Sequence, residues 1–137
     1  MIAISHRGNL EGQSDLENHP DQIQKVLRLG FDCEIDLWRE DSKWYLGHDH
    51  PEHEVNINFF CKPKLWIHAK NLAALNSIPR YLNFFWHEED DFALTSKHFI
   101  WTYPDKPVLE KSVIVDNTKN WKEKNYKSFG VCSDWIL

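Results

Sequence analysis

The sequence predicts a single α/β domain, residues 1–137, organised on parallel strands. Three observations predict it. About eight short apolar runs are separated by polar, turn-like stretches; the first two flank a helical signal; and charged or imidazole side chains recur where those runs end. A strand–helix–strand order at the front implies a parallel pairing, because parallel neighbours need a crossover between them.

The runs Ile2 to Ser5, Phe31 to Trp38 and Trp44 to Leu46 read as strands, followed by Leu65 to His68, Asn83 to Trp86, Phe99 to Thr102, Ser112 to Val115 and Phe129 to Cys132. Helical signals lie over His19 to Leu29 and Leu72 to Leu82. In the first, Pro20 suits an opening turn, Ile23, Val26 and Leu27 share a face, and Gly30 ends it. Pro79 weakens the second, and the later connections are too short for full helices.

Composition removes several classes of function. With 42% hydrophobic and 27% charged residues and only 5 Gly and 6 Pro, the chain is neither disordered nor fibrous. A formal charge of −5 argues against general binding to nucleic acid, which needs clustered positive charge. No apolar run approaches the roughly 20 residues of a membrane span, and the start carries no secretory pattern. Cys33, Cys61 and Cys132 are odd in number and widely spaced, which suits a reducing cytoplasm better than a disulfide framework.

Chemistry concentrates at the strand ends. His6 and Arg7 follow the first strand, Glu34 and Asp36 lie in the second, His48 and Asp49 follow the third, and His68 and Lys70 close the fourth. In parallel α/β proteins ligands bind at the carboxyl ends of strands, so these groups are expected to share one pocket. Glu34 and Asp36, two apart, project to the same face. If buried they need a proton or a hard cation between them; on a solvated antiparallel strand they need neither. His6 and His48 titrate near neutrality and suit a base and an acid in one displacement, although a single histidine is as often structural. Arg7 offers a planar fork for phosphate or carboxylate oxygens.

Other candidates carry two readings each. Glu17 either approaches this pocket or simply favours a helix start. Trp101, Tyr103 and Trp135 either stack on a sugar, glycerol or choline-like group or pack the core and rim. Asp116 and Asp134 are pocket residues or turn formers. The run His87 to Asp91 reads first as a solvated turn and second as a contributor near a cation, and His48, His50 and His53 lack the spacing of a zinc cluster.

Taken in order, His6-Arg7-Gly8, Glu17-Asn18, Glu34-Ile35-Asp36 and Gly47-His48-Asp49 resemble the glycerophosphodiester phosphodiesterase family and the wider phospholipase-C-like phosphodiesterases. The resemblance is dense over residues 4–49, continues through Ile67-His68-Ala69-Lys70, and ends at Gly130-Val131-Cys132-Ser133-Asp134. It implies a (β/α)8 TIM-type barrel that hydrolyses a phosphodiester with a divalent metal. By position, His6 and His48 match the acid/base pair, Arg7 and Lys70 the phosphate-binding residues, and Glu34 and Asp36 two metal ligands. His68 stands where the family's third ligand, a glutamate, is usual. That change favours Mg²⁺ or Mn²⁺ over Ca²⁺, with Mg²⁺ the first expectation.

The implied substrate is a small glycerophosphodiester-like ester, polar-glycan- or lipid-derived. Two rivals stand beside hydrolysis: a barrel reduced to binding phosphate esters, and a lyase releasing a cyclic phosphate. Length constrains all three. A barrel of this type takes about 250 residues, whereas 137 residues over eight units leave about 17 each. The expected architecture is therefore a reduced barrel with outer helices shortened or missing, and a homo-oligomer is one way to cover the exposed strands.

Overall fold

The computed structural model describes residues 1–137, and it corrects the barrel expectation. The chain forms a ten-stranded mixed sheet, curled into a half-barrel, with three short helices. The strands are β1 (Ile2–His6), β2 (Asp32–Glu40), β3 (Lys43–Leu46), β4 (His53–Val55), β5 (Leu65–Ala69), β6 (Phe84–Trp86), β7 (Phe92–Leu94), β8 (Ile100–Thr102), β9 (Ser112–Val115) and β10 (Gly130–Ser133). The helices are α1 (Pro20–Arg28), α2 (Ile57–Phe60) and α3 (Leu72–Ser77), with a 3₁₀ turn at Trp121–Lys124. None is long and apolar enough to cross a membrane.

The spatial order is β4-β3-β2-β1-β10-β9-β8-β7, with β5 on the other flank of β2 and β6 beyond it. Pairings from β6 through β5, β2, β1, β10 and β9 to β8 are parallel. Those of β3 with β2 and β4, and of β7 with β8, are antiparallel.

The departure from a (β/α)8 barrel has a physical cause in the connections. After β2 the chain reverses through Asp41 and Ser42, both at positive φ (50° and 63°), the two-residue geometry that suits a twisted hairpin. The expected third parallel strand, Trp44 to Leu46, is therefore the return arm of a hairpin. The run Phe92–Leu94 folds back on β8 in the same manner. Only α1 and α3 survive as crossover helices of any length. His19 caps α1 by accepting the Asp21 amide on Nδ1, and Asn71 caps α3 by accepting from Ala74. Helix α3 stops at Ser77, short of the expected Leu82, because Ile78 precedes Pro79 and adopts an extended conformation.

Alternation along the strands separates two layers. Cys33, Ile35 and Leu37 of β2 and Leu65, Ile67 and Ala69 of β5 face the convex side, packed under Ile23 and Val26 of α1, Phe60 of α2, Ala74 of α3 and Trp44 and Leu46 of β3. The concave side is filled by Ile4, Trp66, Phe85, Trp101, Val113, Val115 and Cys132. Glu34, Asp36 and His68 alternate with the convex residues of the same strands, which directs them to the concave side above that apolar floor.

Candidate active site

The concave face opens into a cavity of about 350 Å³ lined by His6, Arg7, Glu34, Asp36, His48, His68 and Lys70, the groups singled out in the sequence. Trp101 and Tyr103 form part of its wall. Glu17 and Asp134 stand behind it, against Arg7 and His6 respectively.

Backbone geometry at the end of β1 sets two of these groups. His6 is the last strand residue, and the chain then turns through Arg7 at φ 58° and Gly8 at φ 92°. A left-handed arginine is strained. It is held by Arg7 N donating to Glu34 O (3.0 Å) and Arg7 O accepting from Asn18 N (2.8 Å). The guanidinium then lies with Nε 3.4 Å from Asp36 Oδ2 and one terminal nitrogen 3.5 Å from Glu17 Oε2. Burial lowers the Arg7 pKa, but Glu34, Asp36, Glu17 and Asp134 outweigh it, so the charge is retained.

His6 donates from Nδ1 to Asp134 Oδ1 at 2.8 Å, since a carboxylate oxygen only accepts. That contact selects the tautomer whose lone pair sits on Nε2. Asn9 holds the carboxylate by donating to the same oxygen at 2.9 Å, and Asn117 Oδ1 accepts from the Asp134 amide. Burial raises the Asp134 pKa, but the His6 and Asn9 hydrogen bonds prevail and keep it below the ordinary value.

Across the cavity His48 follows Gly47, where an added Cβ would overlap the His50 carbonyl, so the turn that presents His48 requires glycine. Its Nε2 accepts from Arg7 at 3.3 Å and its Nδ1 lies 3.4 Å from Asp36 Oδ2.

Asp36 is pinned by Asn18, which donates to Oδ2 (2.9 Å) and accepts from the Asp36 amide (3.0 Å). Burial pushes the Asp36 carboxyl up, yet His48, His68 and Arg7 outweigh it and hold it well below the carboxylate range. Glu34 goes the other way: burial, then the Asp36 charge, push it well above. Both Glu34 oxygens and Asp36 Oδ1 are buried with no hydrogen-bond partner among the protein's groups. Orphaned carboxylate oxygens in an interior are costly unless a proton or cation meets them, and in donor chemistry the pair suits a hard divalent ion.

The third expected ligand is placed differently from the carboxylates. His68 stacks on Phe85, points Nε2 at the His87 carbonyl (3.2 Å), and has Nδ1 3.2 Å from Asp36 Oδ1 but off the line of a hydrogen bond. No group of three or more His, Cys, Asp or Glu side chains is arranged to hold a metal ion.

His87 and Glu88 also line the cavity, with His87 stacked on Tyr103 at 4.1 Å. In the sequence that acidic run reads first as a solvated turn, whereas the fold brings its first two residues to the cavity. Asn9, which positions Asp134, had no sequence signal beyond its place two residues after Arg7. Trp135, Asp116, His50 and His53 do not reach the cavity.

No family model, curated protein or solved structure matches the chain, so the family resemblance rests on its motifs.

Proposed function

We propose that the protein is a divalent-cation-dependent phosphodiesterase acting on a small glycerophosphodiester-like substrate. One observation carries this reading: two histidines, two basic side chains and the two buried carboxylates of β2, with three of their four oxygens lacking a hydrogen-bond partner, line one cavity of about 350 Å³. A site that only bound phosphate would need the cations and would have no use for a second histidine or for a carboxylate holding the first.

Each side chain has a task. Arg7 and Lys70 bind the non-bridging oxygens and offset the charge that grows on them in the transition state. His6 Nε2 takes the proton of the attacking water, with Asp134 stabilising the imidazolium that results. His48, as the imidazolium it becomes once the Arg7 guanidinium turns from its Nε2 to the phosphate, delivers a proton to the leaving alkoxide, so one water is consumed and an alcohol and a phosphomonoester are released. Glu34 and Asp36 would hold the cation, which when bound polarises the phosphoryl group as a Lewis acid. An apolar floor of Trp66, Phe85 and Trp101 underlies the site, and charge interactions beside it gain where substrate displaces water.

Turnover on a panel of small phosphodiesters, measured with and without chelator, tests the proposal. Hydrolysis should need a divalent cation, and His6→Ala and His48→Ala should each lower kcat about 10²- to 10⁴-fold. Absence of turnover on every ester, or turnover indifferent to both substitutions, refutes it.

A further inference from the structure

Resting on the phosphodiesterase reading, we infer that Asn9 is a positioning residue that sets the general base and the phosphate clamp together. Its Nδ2 carries two protons, and it donates to two carboxylate oxygens: Asp134 Oδ1 at 2.9 Å and Glu17 Oε2 at 3.0 Å. These are the same two atoms that hold the reactive side chains. Asp134 Oδ1 accepts from His6 Nδ1 at 2.8 Å, and Glu17 Oε2 lies 3.5 Å from a terminal nitrogen of Arg7. One carboxamide therefore stands behind both His6 and Arg7.

The backbone explains how it comes to be there. His6, Arg7, Gly8 and Asn9 form a turn closed by Asn9 N donating to His6 O (3.0 Å), with both central residues at positive φ (58° and 92°). Ser5 Oγ donates to Asn9 O (2.8 Å) and ties the turn back to β1. The turn that presents His6 and Arg7 thus fixes Asn9 beside them. Asn9 and Asp134 are both buried (1% and 2% exposed), so water is a poor substitute for the lost amide. The residue type also fits. Two carboxylates that oppose each other in charge both need donors, and a neutral double donor serves both. A cation at this position would compete with Arg7 and His6 for the same oxygens. The other end of the amide is free of such demands, since Asn9 Oδ1 meets only the hydroxyl of exposed Ser14, at 3.5 Å.

Steady-state hydrolysis of bis(p-nitrophenyl) phosphate with Mg²⁺ or Mn²⁺ tests the link through the split between kinetic constants. Asp134→Asn acts on the base and should show in kcat, whereas Glu17→Gln acts on the clamp and should show chiefly in KM. Asn9→Ala should move both, lowering kcat about 10- to 100-fold and raising KM about 3- to 10-fold. Asn9→Asp, of nearly equal volume but with no proton to give when ionised, should do the same. Inorganic phosphate, titrated by calorimetry, should bind more weakly to Asn9→Ala and Glu17→Gln by a factor similar to that in KM. Wild-type kcat and KM in either Asn9 variant, or a change confined to one constant, overturns the inference and leaves the phosphodiesterase reading standing. The wild-type protein provides a measurement that needs no variant. Both Asn9 Nδ2 protons should exchange with solvent at least about tenfold slower than those of exposed Asn120, and equal rates overturn the inference. No turnover by the wild-type protein on any phosphodiester overturns the phosphodiesterase reading and this inference with it.

Discussion

Asp134 determines what His6 can do. A carboxylate at 2.8 Å from Nδ1 fixes one tautomer, and an amide there can present a donor and select the other. Asp134→Asn is expected to lower kcat about 10²- to 10⁴-fold at nearly constant KM, because Asp134 touches the imidazole and not the substrate. A loss below about threefold, or a loss confined to KM, would remove the positioning role. At this scale much of the site was legible in the sequence. Glu34 and Asp36 stand out because period-two spacing puts two charges on one face of an otherwise apolar strand, and His6, Arg7 and His48 because each follows an apolar run. His87 and Glu88 were hidden in an acidic stretch whose composition is that of a turn, and their place depends on β7 folding back, a tertiary event. Asn18, adjacent to Glu17 in a recognisable motif, was legible as a position but not in its task of gripping Asp36 through both amide atoms.

At the scale of elements, the connection from β9 to β10 shows how a crossover is held without a full helix. Asp116, just past β9, accepts from the Thr118 amide (2.9 Å), Thr118 Oγ1 (2.6 Å), Lys124 Nζ (2.6 Å) and Tyr126 Oη (2.7 Å). The carboxylate is the hub around which the 3₁₀ turn folds. Burial raises its pKa, but the Lys124, Thr118 and Tyr126 hydrogen bonds more than reverse that and bring it to about 2. A folded-state pKa below the unfolded value of about 3.9 makes a contribution that is complete above that value and lost as pH falls towards the folded one. Asp116→Asn should therefore cost about 2 kcal/mol at pH 6, a difference that shrinks towards zero in urea melts near pH 2. A pH-independent difference would mean that the hub works by shape and not by charge. The elements themselves are unevenly legible. β1, β5 and β9 were plain from β-branched and aromatic runs, whereas β4 and β7 are three-residue strands defined by their partners. The Asp41-Ser42 reversal lacks the glycine that usually signals a hairpin, so in the sequence β3 is indistinguishable from another parallel strand.

For the whole molecule, the open question left by a curled sheet with few helices is what holds its margins. One margin is β6, and the other side comes round through β7 to Ser96. There Ser96 N donates to Phe84 O (2.7 Å), Ser96 Oγ donates to Leu82 O (2.7 Å), and Phe84 N donates back to Ser96 Oγ (2.9 Å). One hydroxyl thus satisfies two backbone groups at an edge that would otherwise present unpaired donors and acceptors. Length arithmetic showed that the outer helices could not all be present, but it could not show this stitch, because the partners lie 12 and 14 residues apart and meet only when β7 reverses. The stitch also bears on the cavity, since Phe85 and His87 on this margin stack against Trp101 and Tyr103 of the other. Ser96→Ala keeps the main-chain bond and leaves Leu82 O and Phe84 N without their partner, at an expected cost of about 1–3 kcal/mol. Ser77→Ala, at an exposed position whose hydroxyl makes no hydrogen bond, should stay within about 0.5 kcal/mol. Urea unfolding of both variants gives the comparison. Equal stabilities would show that the margins are held by the stacked rings and not by the hydroxyl, and amide exchange at Phe84 faster than at Ile67 in Ser96→Ala would locate the loss at this seam.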